Sequence, residues 1–481
     1  MELKNHQSDC DVIFLSSLII HSHQTLSTQA NQTSVKLPSN ISLGNINVNI
    51  TLDSNDQKDD PSRYDKRVSA LVFSGSSEFL ESSITIGQNS IPIILDTSSH
   101  HFLIAKKKCT GCTQFPPFYK KSPVGEFVQC DSQLCHLNGN TCEKPNKFTS
   151  PTCVLTTNIE TAAIRAYLIS DMVSVDNFKN IPVIISAIYR QTGDLPNKLT
   201  KPIFGVGPSC QGCPVSQLNS ILTTLKRPYI FGVSLDRNYF GGISLGSINP
   251  LFYTHQLNYT TMVKQRASYS IQPYSMISEW NGHSLNISYT DFNMFTIETT
   301  LPLSYLPTAA FNKFTKFLSD YCQAKNAATT TSTTSTGTSP SNPTSTTTNG
   351  STGGLPANNP KVPASTSSSP LSPSASTTTN NNNVKPSPSI CSSLNVLFSN
   401  CLPSSMLSPD QFPTIDLHFP ENFTLSLKPS NYFYTISRDN IVYQCIGIQE
   451  TKDTHATFGL NLMRELYIVF DNDRSVIGFV I

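Results

Sequence analysis

The chain of 481 residues predicts a two-lobed, mainly β protein built from two pseudo-duplicated halves. Three observations carry that expectation. First, Ile93-Ile94-Leu95-Asp96-Thr97-Ser98-Ser99 and Phe295-Thr296-Ile297-Glu298-Thr299-Thr300 are two copies of one device, an apolar strand ending in a carboxylate followed by Thr. Second, each copy has a later apolar-Gly partner, Ile203-Phe204-Gly205 and Thr457-Phe458-Gly459. Third, the carboxylate-to-glycine intervals are 109 and 161 residues, and removing the 62-residue Thr/Ser/Pro/Asn-rich run from Ala327 to Pro388 brings the second to 99, so that the halves come to nearly equal length. One carboxylate from each lobe then faces a central cleft.

Residues 1–23 include an apolar run, Val12 to Ile20, of signal-peptide length, although Asp9 and Asp11 stand where basic residues are expected. Residues 24–67 are polar, rich in Asn and Asp, without sustained periodicity, and end in Lys66-Arg67; they read as a disordered arm or a propeptide. An N-terminal lobe over 68–250 begins with Glu78 to Thr97, paired strands around a turn at Gly87-Gln88-Asn89-Ser90. Strands are also expected at Ile181 to Ile185, Tyr229 to Leu235 and Ile243 to Gly246. A C-terminal lobe over 251–481 ends in a hairpin, Tyr467 to Phe470 and Val476 to Val480 about a polar turn. Helices should be few and short, at Val215 to Leu225 and Ala309 to Phe317. The insert at 326–389 cannot bury enough apolar surface to offset the entropy of ordering it, and is expected as a surface excursion.

Net charge of +1 and 14% charged residues argue against nucleic acid as a partner, which binds through basic patches. No stretch approaches the roughly 18 apolar residues of a membrane span. Of 13 cysteines, all but Cys10 fall inside the lobes, an even dozen that suits disulfides. Sequons at Asn31, Asn40, Asn49, Asn258, Asn286, Asn349 and Asn422 suit glycosylation, so a secretory route is expected, ending outside the cell or in a lysosome or vacuole. Cys109-Thr-Gly-Cys112 and Cys210-Gln-Gly-Cys213 lie too far apart for an ordinary zinc ribbon. No metal or cofactor is expected. His100 and His101 are read as neighbours of the first strand, and Lys106 to Lys108 as a solvated loop.

In order, Ile84-Thr85-Ile86-Gly87, Asp96 to Ser99, Phe204 to Gly207, Gly242 to Gly246, Glu298 to Pro307 and Tyr467 to Phe479 resemble the motifs of the pepsin-like aspartic endopeptidases, in their cysteine-rich plant and protist branch. The resemblance implies the bilobal pepsin-like aspartic protease fold. Its chemistry needs two carboxylates that share one proton, the ionised one activating water and the neutral one polarising the scissile carbonyl. Asp96 and Glu298 would be that dyad, with Thr97, Ser98, Ser99, Thr299 and Thr300 as supporting loop and Gly205 and Gly459 as structural partners. It also implies Cys401 with Cys445, and Cys322 with Cys391 closing the base of the insert; pairing in the first lobe stays open.

The departures fall on the machinery. Glu298 replaces an Asp and adds about 1.5 Å of reach, where about 1 Å of misplacement can cost roughly a hundredfold in rate. Thr300 stands where the family has Gly, and Leu301 where a hydroxyl would hold the second carboxylate. Cys153 through Val173 keeps the spacing of the flap pattern CYxxxYGDGSxxxGxLxxDxV, with Cys153, Leu168, Asp171 and Val173 retained. Asn158, however, takes the place of the flap Tyr, and Ile159, Thr161 and Ala166 replace its glycines.

The reading favoured is a catalytically impaired, monomeric homologue that binds a peptide or protein in its cleft, as some plant relatives inhibit glycosidases. The alternatives are an acid endopeptidase working through an Asp96/Glu298 dyad, and a glycosylated extracellular spacer or adhesion protein in which the insert matters most.

Overall fold

The computed structural model describes residues 70–331 and 401–480, apart from 74–78, 115, 137–139, 145–149, 160–161, 176–177, 194–199, 212, 264–266, 281 and 406–407. The expected leader, the arm, Cys10, Cys391 and the sequons at Asn31, Asn40, Asn49 and Asn349 lie outside those residues, as does the insert beyond Thr331.

Strands dominate because the sequence alternates. In Ala162–Val175 nearly every second side chain is buried, the pattern of a sheet with one face on a core. Asn89–Asp96 buries Ile93, Ile94 and Leu95 in succession. It lies between Glu81–Ile86, antiparallel, and Ile203–Gly205, parallel, with both of its faces covered. Gly87, at φ +60°, opens the two-residue turn between Ile86 and Asn89, a place where a side chain would be strained.

The first lobe is a nine-stranded sheet that includes these strands with Phe102–Thr110, Thr152–Ile159, Ala162–Val175 and Phe178–Thr192. The expected strand at Ile181 to Ile185 is the middle of the last of these. In the second lobe five strands run in the order Ser270–Ile271, Phe295–Ile297, Ala456–Phe458, Ser304–Pro307, Ile448–Thr451. Four-stranded and three-stranded sheets pack beside them. A six-stranded sheet joins the halves: Ala70–Phe73, Gly241–Leu245 and Ile230–Leu235 are followed by the C-terminal hairpin Tyr467–Asp471 and Val476–Val480, then Asn258–Thr261. Phe231 stacks on Phe470 across this junction, ring centroids 4.5 Å apart. The architecture is the bilobal, mainly β fold of the pepsin-like proteins.

Two expectations need correction. Helices are not all short: Thr308–Thr331 runs for 24 residues, well past Phe317 and into the expected start of the insert. Phe314, Phe317, Leu318, Tyr321 and Cys322 recur at helical spacing and are all buried, so the apolar stripe that holds the helix to the lobe continues beyond the point where the sequence reading stopped it. Lys106 to Lys108 are strand residues of Phe102–Thr110 and not a loop; the Lys106 ammonium sits 4.9 Å from the centre of the Tyr167 ring. The other expected helix forms as Gln217–Thr224, capped by the Ser216 hydroxyl, which accepts from the Asn219 N–H.

Candidate functional site

The two halves build the same corner twice. In the first, Asn89–Asp96 and Ile203–Gly205 run parallel with Asp96 opposite Gly205, and Phe102–Thr110 returns antiparallel on the other side. In the second, Phe295–Ile297 and Ala456–Phe458 run parallel with Ile297 opposite Phe458, and Ser304–Pro307 returns antiparallel. The carboxylate therefore stands where each strand breaks into a loop. The loops close against glycine: a Cβ on Gly205 would come within 2.7 Å of the backbone of Ser99, His100 and His101, and one on Gly459 would strike the Leu303 carbonyl.

Thr97 and Thr299 join the two corners. The Thr97 hydroxyl donates to the Ile297 carbonyl at 2.8 Å and the Thr299 hydroxyl to the Leu95 carbonyl at 2.6 Å. Each hydroxyl also accepts the other threonine's backbone N–H, at 3.1 and 3.2 Å. Both are fully buried. Asp96 and Glu298, the residues just before them, thus ride on loops whose backbones are locked together.

The two carboxylates are not equivalent. Asp96 is buried, and its Oδ1 accepts from both the backbone N–H and the hydroxyl of Ser98, at 2.8 and 2.6 Å. The Ser99 hydroxyl, also shielded from solvent, has no hydrogen-bond partner among the described residues. In the sequence Ser98 stands out only as one member of the supporting loop; the signal for its larger part is a hydroxyl two residues after the acid, the spacing of a local side-chain turn. Glu298 is half-buried, and its backbone N–H donates to the Phe458 carbonyl at 3.1 Å. Burial, Tyr434 and the Glu298 carboxylate together push the phenol of half-buried Tyr305 up. Tyr305 was not singled out from the sequence, since an aromatic two residues before Pro307 looks like any core strand position. Thr300 and Leu301 are both buried, and the Leu301 carbonyl accepts from the Leu460 N–H at 2.9 Å.

Thr152–Ile159 and Ala162–Val175 pair antiparallel where the sequence leads one to expect the flap, with Asn158 exposed and paired with Ala163. Ala162, Ile164 and Ala166 are buried along it, while Thr161 lies outside the described residues. At its far end Asp171 accepts from the Tyr119 hydroxyl at 2.7 Å, the Ser122 N–H at 2.9 Å, the Ser122 hydroxyl and its neighbour's N–H on Met172 at 2.8 Å. Burial pushes the Asp171 carboxyl up, but these four donors outweigh it and hold the group below the ordinary carboxylate value.

The bridge Cys401–Cys445 is present, and Cys109–Cys112, Cys130–Cys142, Cys135–Cys153 and Cys210–Cys213 pair in the first lobe. Cys322 is also disulfide-bonded. Among the described residues no helix is long and apolar enough to cross a membrane.

Residues 379–480 match the family model described as xylanase inhibitor C-terminal, a member of the pepsin-like aspartic protease clan. The match takes in Gly459 and the C-terminal hairpin and stops short of both carboxylate loops. No curated protein matches the chain.

Proposed function

We propose that the protein is a pepsin-like scaffold that binds a peptide or protein in its inter-lobe cleft and cleaves peptide bonds poorly or not at all. The observation that carries this reading is the inequality of two loops that are otherwise interlocked. Thr97 and Thr299 keep the cleft assembled, yet Asp96 is buried under two donors from Ser98 whereas Glu298 is half-buried on a longer side chain. A carboxylate pair that shares one proton needs closely matched surroundings. Exposed Asn158 removes the aromatic lid that would close over a substrate. The name of the matched family, an inhibitor of xylanase, lends weight to a protein partner, a glycosidase being the first to try. The disulfides suit a secretory route.

The second reading is an acid endopeptidase with an Asp96/Glu298 dyad, favoured by the intact threonine lock. Cleavage of a denatured protein between about pH 3 and 6, with and without pepstatin, separates the two. Wild type is compared with Glu298→Asp and Asp96→Ala. Absence of cleavage by wild type supports the binding reading; pepstatin-sensitive cleavage abolished by Asp96→Ala overturns it.

A further inference from the structure

The two Cys-x-x-Cys pairs go separate ways: Cys109 closes on Cys112, and Cys210 on Cys213. The second pair meets a histidine. A ring nitrogen of His100 and the sulfurs of Cys210 and Cys213 all lie within 4.8 Å of one another.

Backbone close to the Asp96 loop makes this juxtaposition. The Gly207 N–H donates to the Ser99 carbonyl at 2.7 Å. A Cβ on Gly207 would come 2.9 Å from Cε1 and 3.0 Å from Nε2 of His100, so glycine lets the ring approach this segment closely. Nε2 of His100 is 2.6 Å from the Pro208 carbonyl. A carbonyl only accepts, so the proton is on Nε2 and Nδ1 carries the lone pair. A histidine whose N–H is held by a backbone carbonyl is oriented as metal-ligating histidines are. The ring is buried, and burial holds its pKa below the ordinary value, against the opposing pull of the Pro208 bond and the Asp96 charge.

We propose that His100, Cys210 and Cys213 form a redox-conditional site for a soft divalent cation of the zinc class. The Cys210–Cys213 bridge keeps it closed. A small dithiol opens it: the dithiol's sulfurs join to each other as the bridge breaks, two electrons pass to the cysteines, and the dithiol's two protons end on Cys210 and Cys213. The cation then displaces those two protons and takes two thiolates and one imidazole, leaving the fourth tetrahedral position to water. The bridge spans only three positions of sequence, so it gains little from loop closure, and thiols at this spacing ionise readily. Both cysteines are half-buried, within reach of a small reductant. A bound cation would tie the 96–100 loop to the 203–213 segment and stiffen the support of Asp96.

The test uses the full chain under mild, non-denaturing dithiol treatment. One portion is alkylated and its cysteines mapped by mass spectrometry; the other is titrated with Co²⁺ and read for thiolate-to-cobalt charge-transfer and tetrahedral d–d bands. Expected are labelling of the two short bridges, Cys210–Cys213 and Cys109–Cys112, ahead of the longer ones, and one cobalt per chain. Cys210→Ser with Cys213→Ser should abolish the bands, and His100→Ala should weaken binding by at least about tenfold, since lost second-shell partners alone cost that much. If the double variant does not fold, the His100→Ala comparison decides. The proposal is overturned if Cys210 and Cys213 open only when the chain unfolds, if the reduced chain shows no cobalt bands, or if His100→Ala binds as tightly as wild type. Bands that survive the double Ser change would move the metal to the cluster of Cys130, Cys135 and Cys142 and likewise overturn it.

Discussion

Thr97 and Thr299, 202 residues apart, each accept the other's backbone N–H on a side-chain hydroxyl. The same hydroxyls donate to Ile297 and Leu95, so removing either one leaves a buried amide and a buried carbonyl without partners. An unmade buried hydrogen bond costs about 1–3 kcal/mol. Thr97→Val and Thr299→Val should each lower unfolding stability by about 2 kcal/mol. The double change should cost clearly less than the sum, because the two residues share one network. Urea unfolding of the four chains measures the coupling, and strict additivity would show that the lock contributes nothing as a unit.

The glycines that close the corners make a sharper prediction. A methyl at Gly459 meets the Leu303 carbonyl and one at Gly205 meets the backbone of Ser99 to His101, neither of which can swing aside as a side chain would. Gly459→Ala and Gly205→Ala should each destabilise by about 1–3 kcal/mol or more. Gly282, around which a Cβ would find open space, is the control for crowding, although its φ of +82° carries its own strain. A melting temperature unchanged by Gly459→Ala would contradict the packing described.

Much of this corner was legible in the chain because it is written twice. A carboxylate after an apolar run is ambiguous alone, but Asp96 with Gly205 and Glu298 with Gly459 repeat one relation, and repetition pointed to two lobes. What stayed hidden was whatever depends on a third segment. The Ser98 hydroxyl could have faced solvent; only the fold turns it onto Asp96. Likewise His100 and Cys210 are more than a hundred residues apart, and no local pattern joins them. The long helix was missed for a different reason: Tyr321 and Cys322 continue its stripe, but the Thr- and Ala-rich sequence just beyond them drew the boundary inward.

Asp171 predicts how the first lobe responds to acid. Its folded carboxyl titrates below the ordinary value of 3.8, so folding favours the ionised form. That stabilisation is complete above the unfolded value and fades as pH falls through the folded one. Asp171→Asn leaves four donors facing an amide and should cost about 2 kcal/mol at pH 7. By about pH 3, below the ordinary value of 3.8, the unfolded chain has taken up the proton and the gap between the two proteins should narrow. Urea midpoints at both pH values test this, and an equal gap at both would exclude an ionised Asp171 as the source of the stability.

Disulfide loops of different length should separate in their contributions. Cys401 and Cys445 close 44 residues of sequence, Cys109 and Cys112 only 3. If the bridges act mainly by restricting the unfolded chain, the first is worth about 4 kcal/mol and the second about 1.6 kcal/mol. Cys401 starts the described part of the second lobe after the insert, and Cys445 is buried at the end of the strand Ile441–Ile446. Paired Cys→Ser variants compared by urea unfolding should give a loss two to three times larger for Cys401/Cys445 than for Cys109/Cys112. Equal losses would mean that native-state packing of the sulfurs, and not loop length, sets their worth.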